Sequence, residues 1–230
     1  MRLSGIQKLT LLDFPETVSC ILFTGGCNFR CSFCHNASLA LNGNYPNISE
    51  EELFDFLKKR KGILDGVVIT GGEPLIHNDI MELLEKIKEL GYKIKLDTNG
   101  TNPKLLEEIV SSNLVDYVAM DIKNSPEQYG ETVGIQNFDI SAVERSKNFL
   151  MQNTVQYEFR TTVVRGIHEK EDLISLAKWI KNAKKYYLQQ FKNSGDLINE
   201  AGLSSFSEEE IKKFADYVRP FVPSVQVRGI

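Results

Sequence analysis

Residues 25–36 have the sequence Gly-Gly-Cys-Asn-Phe-Arg-Cys-Ser-Phe-Cys-His-Asn, which places Cys27, Cys31 and Cys34 in a C-x3-C-x2-C array. Thiolates are soft ligands that suit iron–sulfur clusters or zinc. Three of them can bind three irons of a four-iron cluster and leave the fourth iron open, so that chemistry can take place there. The two glycines before Cys27 let the backbone turn tightly around a bulky inorganic group. This array is the most specific signal in the chain.

The composition narrows the range of partners. The 230 residues carry a formal net charge of -4, whereas a surface for nucleic acid or anionic membrane would need clustered Lys and Arg. We therefore expect protein or small-molecule partners, no nucleic acid and no membrane. We also predict a single domain over residues 1–230, with a core of about 17–191 and a C-terminal extension at 192–230, because no Pro-, Gly- or Ser-rich stretch separates two cores.

Cysteine usage and the start of the chain suggest the compartment. The first residues lack an apolar segment of signal-peptide length, and no apolar run approaches the roughly 20 residues of a membrane span. We expect a cytoplasmic protein, in which three close cysteines are metal ligands rather than disulfide partners. Cys20 lies in the apolar run 18–23, and we expect it to be a core residue.

Strand-like and helix-like segments alternate along the whole chain, which is typical of an α/β fold with a parallel sheet. Helix-period apolar residues fill the intervals between strands, with capping boxes at 49–52 and 207–210. The number of strands predicts an incomplete (β/α)6 barrel that stays open along one side. The six predicted strands are 18–23, 67–70, 93–96, 117–120, 157–164 and 186–190.

Acidic residues follow three successive strands. Glu73, Asp97 and Asp121 are spaced 24 residues apart, one βα unit each time, so we expect them on one rim of the sheet. Any one of them alone would be explained by a turn or a helix cap. Three in register beside the cysteine loop favour a functional site. For Arg160, within the fifth strand, a solvated outward position and an inward functional one are equally favoured.

These motifs resemble those of the radical S-adenosylmethionine (SAM) enzymes, through the cysteine loop with Phe33 and through Gly-Gly-Glu-Pro at 71–74. The resemblance covers essentially the whole chain and implies a barrel of radical SAM type. Residues 5–15, 34–36, 97–100 and 120–123 are further similar to the glycyl radical enzyme activases. Among these the sequence is most similar to the activating proteins of anaerobic ribonucleoside-triphosphate reductase, relatives of the pyruvate formate-lyase activase.

The resemblance implies two cofactors, a [4Fe-4S] cluster on Cys27, Cys31 and Cys34, and SAM bound to its open iron. Glu73 would accept hydrogen bonds from the SAM amino group, and Arg160 would steady Glu73 or the SAM carboxylate. Phe33 would border the adenine. A monovalent cation would bind at Asp97, Thr98 and Asp121. The full set implied to bind SAM is Phe33, His35, Gly71, Gly72, Glu73, Asp97, Asp121, Lys123 and Arg160.

The implied reaction is reductive cleavage of SAM to methionine and a 5'-deoxyadenosyl radical, which takes a hydrogen atom from a glycine Cα of a partner protein. The implied partners are a glycyl radical enzyme and an electron donor of flavodoxin or ferredoxin type. The open side of the barrel would admit the partner's glycine loop.

Two departures from the activases refine this expectation. Only 36 residues separate Cys34 from Gly71, without a cysteine among them, so the ferredoxin-like insert of some activases is absent and we expect one cluster. Residues 188–191 lack the histidine expected at the end of the last barrel strand in pyruvate formate-lyase activases, which favours the reductase activator. His77 and His168 lie at helix starts and are interpreted as turn residues.

Three alternatives stay open. The chain would be a pyruvate formate-lyase-type activase, a radical SAM enzyme acting on a small molecule, or a non-enzymatic zinc module with His35 as fourth ligand. The zinc hypothesis is weak because adjacent Cys34 and His35 reach one tetrahedral ion only with strain.

Overall fold

The computed structural model describes residues 3–41 and 47–230, and within them eight strands form one sheet in sequence order. The strands are β1 (Leu3–Thr10), β2 (Ser19–Thr24), β3 (Gly66–Gly71), β4 (Lys93–Thr98), β5 (Tyr117–Asp121), β6 (Gln156–Val163), β7 (Tyr186–Gln190) and β8 (Val225–Arg228). β1 pairs antiparallel with β2, and each later neighbouring pair is parallel. β1 and β8 are the two edges, so the sheet is an open, partial barrel.

Helices follow most of the parallel strands and cover the outer face of the sheet. They are α1 (Ala37–Ala40), α2 (Glu50–Lys59), α3 (Ile80–Glu89), α4 (Pro103–Ser111), α5 (Tyr129–Val133), α6 (Ser141–Leu150), α7 (Lys170–Trp179) and α8 (Glu208–Val218), with a 3-10 turn at Pro74–Ile76. Among the described residues, none of these helices combines the length and apolar character of a membrane span.

The predicted α/β class and incomplete barrel are confirmed, and the six predicted strands correspond to β2 through β7. Both predicted capping boxes are also present. Ser49 accepts from the Glu52 amide at 3.2 Å, and Ser207 accepts from the Glu210 amide at 3.2 Å. Apolar periodicity and capping boxes involve only residues that are close together in the sequence, so they could be recognised without the tertiary structure.

The two edge strands were not predicted. In β1 the exposed run Gln7, Lys8 and Leu9 breaks the alternation of buried and exposed residues that marks a strand. β8 has only four residues, too few for a clear pattern. Because β8 pairs with β7, part of the predicted C-terminal extension belongs to the sheet.

The sheet has a different core on each face. Its outer face packs on the helices in a large apolar cluster that includes Cys20, which is fully buried as expected. A small second cluster of Phe14, Ile21, Val68 and Tyr117 fills the lower barrel interior. The interior is therefore closed by apolar side chains toward the amino ends of the strands, and its polar groups lie toward the carboxyl ends.

A buried ion pair ties β8 to the sheet. Glu158 of β6 is 1% exposed, and Arg228 of β8 donates to its two carboxylate oxygens at 2.9 and 3.1 Å. Tyr117 of β5 also donates to this carboxylate, at 2.9 Å. The guanidinium lies against the ring of Tyr187. The Glu158 carboxylate thus connects β5, β6 and β8, and leaving this buried charge without a partner would destabilise the folded state.

We predict that Arg228→Ala lowers the free energy of unfolding by about 3 kcal/mol, since it leaves the buried Glu158 carboxylate without its cation. The matched control is Arg145→Ala, which breaks the exposed pair with Glu107 and should change stability by less than about 1 kcal/mol. Urea unfolding followed by circular dichroism measures both variants. Equal effects would mean that the Arg228 pair contributes no more than a surface ion pair.

Candidate active site

The carboxyl ends of β2 to β6 enclose one cavity of about 370 Å³. It collects side chains from five loops that are far apart in sequence. The thirteen residues predicted for the site all line it: Cys27, Cys31, Phe33, Cys34, His35, Gly71, Gly72, Glu73, Asp97, Thr98, Asp121, Lys123 and Arg160. The residues that strand order predicted to lie on one rim therefore line the same cavity.

The backbone of the cysteine loop, residues 25–36, is held by contacts within the loop and by contacts with neighbouring segments, among them α5. The Cys34 amide donates to the Cys31 carbonyl at 3.0 Å, and the Arg30 amide donates to the Val133 carbonyl at 2.8 Å. The Arg30 guanidinium turns back and donates to the Cys27 carbonyl at 2.6 Å. These contacts shape the loop without using the three sulfur atoms.

The three loop cysteines are free thiols. Burial raises the pKa of Cys31 to about 12 and also raises the pKa of Cys27, so both are protonated at neutral pH in the protein alone. A bound metal stabilises the thiolate, and cluster binding would therefore release protons from this loop.

The donor set fits an iron–sulfur cluster. Among residues 3–41 and 47–230, no group of three or more His, Cys, Asp or Glu side chains is arranged to hold a single metal ion. Cluster cysteines each bind a different iron, so they need only surround one cavity, as these three do.

Gly72 brings the cysteine loop into direct contact with the loop after β3. A Cβ atom at position 72 would lie 1.7 Å from the Gly26 carbonyl oxygen, so this position excludes any side chain. The Gly72 amide donates to the Thr24 carbonyl at 2.9 Å, and the Glu73 amide donates to the Gly26 carbonyl at 2.8 Å. Gly71 has φ of +115°, a conformation open to glycine.

Glu73 is buried, at 1% exposure, and accepts three hydrogen bonds. Its Oε1 accepts from the Leu75 amide at 3.1 Å and from Thr98 Oγ1 at 2.7 Å. Its Oε2 accepts from the Asn99 amide at 2.6 Å. A carboxylate has about four acceptor positions, so one position on Oε2 is left for a further donor. Burial raises the pKa of Glu73 to about 7, against the opposing effect of these hydrogen bonds.

A chain of five charged side chains crosses the cavity wall. Arg160 donates to Asp97 at 3.0 Å and to Asp121 at 2.9 Å, Lys95 binds Asp97 at 2.7 Å, and Lys123 binds Asp121 at 2.9 Å. Burial alone would raise the pKa of Asp121, but Arg160 and Lys123 hold it well below its usual range. Four of these side chains, Asp97, Asp121, Lys123 and Arg160, line the cavity, and we call them the charged wall. Its two cations are balanced by its two carboxylates, and Lys95 lies buried behind it.

The structure gives Arg160 and Thr98 partners that the sequence did not indicate. The family resemblance implied that Arg160 steadies Glu73 or the SAM carboxylate, but Arg160 pairs with Asp97 and Asp121, and Glu73 is held by the β4 loop. Thr98 donates to Glu73, and side-chain cations balance the charges of Asp97 and Asp121. The monovalent cation site at Asp97, Thr98 and Asp121 stays a prediction.

Several cavity residues were not predicted. Asn99 donates to Asn28 Oδ1 at 2.8 Å and so joins the β4 loop to the cysteine loop. Thr162 and Gln189 line the cavity at the carboxyl ends of β6 and β7, where the rule that identified Asp97 and Asp121 would also have found them. Gln7 and Asp13 line it from β1 and the loop after it, and these gave no signal because β1 itself was not recognised.

Phe33 and His35 lie on the cysteine loop beside the last cysteine. The Phe33 side chain is 4% exposed. Burial and the nearby Lys123 cation lower the pKa of His35, so its imidazole is neutral at pH 7. His77, interpreted as a turn residue, also contacts this loop through Nε2 and the Gly25 carbonyl, at 2.9 Å.

Comparison with known proteins connects this site to a family. The sequence profile described as the Radical SAM superfamily matches residues 21–218. The chain is 33% identical to a Methanocaldococcus jannaschii protein provisionally described as a glycyl-radical enzyme activating enzyme, over 99% of this chain and 95% of that protein. It is 28% identical to the pyruvate formate-lyase-activating enzyme of Clostridium pasteurianum, over 95% of this chain and 97% of that protein.

The fold has a close structural counterpart. The crystal structure of a radical SAM methyltransferase from Sphaerobacter thermophilus superposes with a TM-score of 0.72 over 96% of this chain and 68% of that chain. The sequence identity in this superposition is 15%, so the comparison concerns the fold alone.

We predict that Cys27→Ala, Cys31→Ala and Cys34→Ala each prevent binding of a complete cluster, because each removes the ligand of a different iron. Cys20→Ala is the matched control, since Cys20 is a fully buried thiol of β2 outside the cavity. Iron and sulfide analysis with the visible absorption spectrum, after anaerobic reconstitution, measures the four variants. A loss in the Cys20 variant equal to that in the loop variants would contradict the ligand assignment.

Proposed function

Because this chain belongs to the radical SAM superfamily, we propose that it is an activase that cleaves SAM reductively and forms a glycyl radical on a partner enzyme. The observation that carries the proposal is the single cavity in which the three loop cysteines face Glu73 and the charged wall. The near full-length similarity to a provisionally described glycyl-radical enzyme activating enzyme supports the reaction type.

Cys27, Cys31 and Cys34 would hold a [4Fe-4S] cluster and leave one iron for SAM. When bound, the cluster supplies one electron that breaks the bond between the SAM sulfur and its 5' carbon, and the adenosyl fragment then takes a hydrogen atom from a glycine. The residues of this chain bind and orient the reactants and limit the access of water.

Glu73 would bind the SAM ammonium group through the acceptor position left on Oε2. Its other hydrogen bonds hold the carboxylate in place, so little side-chain freedom is lost when the ammonium group binds. Glu73 would thus both cap the 3-10 turn at Pro74–Ile76 and bind SAM.

The charged wall would face the SAM carboxylate. Lys123 and Arg160 are held in place by Asp121 and Asp97, and either cation would donate a charge-assisted hydrogen bond to the SAM carboxylate. Asp121 and Lys123, which are joined by an ion pair, would contact the ribose or the carboxylate end of SAM. Phe33 and the peptide groups beside Cys34 would border the adenine, and Gly71 and Gly72 let the backbone approach SAM closely.

The partner would be anaerobic ribonucleoside-triphosphate reductase. The short segment between Cys34 and Gly71 and the lack of histidine at 188–191 support this narrower assignment over a pyruvate formate-lyase-type activase. Its glycine loop would enter on the side where β1 and β8 do not pair. The electron donor would be of flavodoxin or ferredoxin type.

We predict that Glu73→Gln weakens SAM binding roughly ten- to hundredfold, or by about 1.5 to 3 kcal/mol, because one charge-assisted hydrogen bond is lost. Iron and sulfide content should stay near the wild-type level, since Glu73 is not a cluster ligand. Equilibrium titration of the reconstituted protein with SAM measures the affinity. Glu107→Gln, on the exposed surface, is the control. An unchanged affinity would restrict Glu73 to capping the 3-10 turn.

We also predict that a peptide spanning the partner's glycine loop donates hydrogen from its glycine Cα. Deuterium on that carbon should appear in 5'-deoxyadenosine, measured by mass spectrometry after anaerobic turnover. Glycine is required because its Cα carries no side chain, so the loop can approach closely and the radical can flatten between two amides. The control peptide has alanine in place of glycine.

Equal transfer from the alanine peptide would contradict this proposal. The proposal would also be contradicted if a small metabolite donated hydrogen and no glycyl radical candidate did. That outcome would favour a radical SAM enzyme that acts on a small molecule.

A further inference from the structure

His168 lies at 1% exposure behind the active-site cavity, just after β6. The sequence suggested an ordinary turn residue, but both ring nitrogens have partners in the structure. Nδ1 accepts from the Val164 amide at 3.1 Å, so the proton of a neutral ring lies on Nε2. Nε2 then donates to the Lys123 carbonyl at 2.8 Å. One imidazole therefore links the chain after β6 to the chain after β5.

The same ring also supports the cysteine loop. The centroids of His168 and Phe33 are 6.3 Å apart at an interplanar angle of 69°, an edge-to-face contact. Phe33 lies on the cysteine loop, and Lys123 lies on the charged wall. His168 thus contacts two residues that line the cavity from different loops.

We propose that His168 is a positioning residue for SAM, which fixes the Lys123 backbone and the Phe33 ring relative to each other at the cavity wall. This inference rests on the proposed function, in which Phe33 borders the adenine and Lys123 faces the carboxylate end of SAM. His168 does not line the cavity itself and acts through these two residues.

Removal of the imidazole should disturb SAM binding more than cluster binding. The Lys123 carbonyl would lose a buried donor, and the Lys123 side chain would lose the fixed backbone from which it reaches Asp121 at 2.9 Å. The cysteine loop keeps separate anchors, including the Arg30 amide on the Val133 carbonyl and the Asn199 amide on the Ser32 carbonyl.

The test compares His168→Ala and His168→Gln with Tyr157→Phe. Tyr157 is buried near the opposite end of β6, and its hydroxyl accepts from the Lys184 amide at 3.2 Å, so Tyr157→Phe also removes the side-chain partner of one backbone group. The Gln side-chain amide can donate to the Lys123 carbonyl in place of Nε2, which makes His168→Gln the conservative variant.

We expect His168→Ala to raise the SAM dissociation constant about tenfold with unchanged iron content, because one buried carbonyl loses its donor. His168→Gln should recover most of the affinity, and Tyr157→Phe should keep all of it. In protein without cluster, hydrogen–deuterium exchange of residues 121–124 should be faster in His168→Ala than in wild type and Tyr157→Phe.

Three outcomes overturn the inference: wild-type SAM affinity in His168→Ala, an equal loss in Tyr157→Phe, or a failure of wild type to bind SAM. If His168→Ala does not fold, His168→Phe replaces it in both measurements, because it keeps a ring beside Phe33 but has no donor for the Lys123 carbonyl. Wild-type SAM affinity in His168→Phe overturns the inference. Wild-type protein that binds SAM but forms no glycyl radical would contradict the proposed function alone.

Discussion

The contact between Gly26 and Gly72 is the constraint on which the site depends. It brings the cysteine loop after β2 against the loop after β3, at a separation that only glycine at position 72 permits. Glu73 follows directly, and its carboxylate binds Thr98 and the Asn99 amide after β4. The carboxyl ends of three neighbouring strands are thereby joined into one surface beside the three loop cysteines.

Arg160 extends this connection to the rest of the rim. It lies on β6 and binds Asp97 of β4 and Asp121 of β5, so a single guanidinium spans three strands. A guanidinium with two carboxylates keeps both of them charged in spite of burial. The result is a preorganised wall of paired charges, which requires little rearrangement when a charged ligand binds.

The barrel interior is divided by polarity. Apolar side chains such as Ile21 and Val68 close its lower end, and the charged wall occupies its upper end. At the edge of the sheet, the pair of Glu158 and Arg228 fixes β8 beside β7. The antiparallel β1 forms the other edge, so the gap between the two edges is a feature of the fold and not of a single loop.

The sequence by itself determined the local features of this protein. Hydrophobic periodicity and capping residues located β2 to β7 and the longer helices, but not the short α1 and α5. Strand order placed Glu73, Asp97 and Asp121 on one rim beside the cysteine loop. Only the tertiary structure decided which charges pair. Arg160 meets a carboxylate 63 residues away, and Thr98 meets one 25 residues away. These choices depend on strand register and on the direction of each side chain across the sheet, which no local pattern encodes.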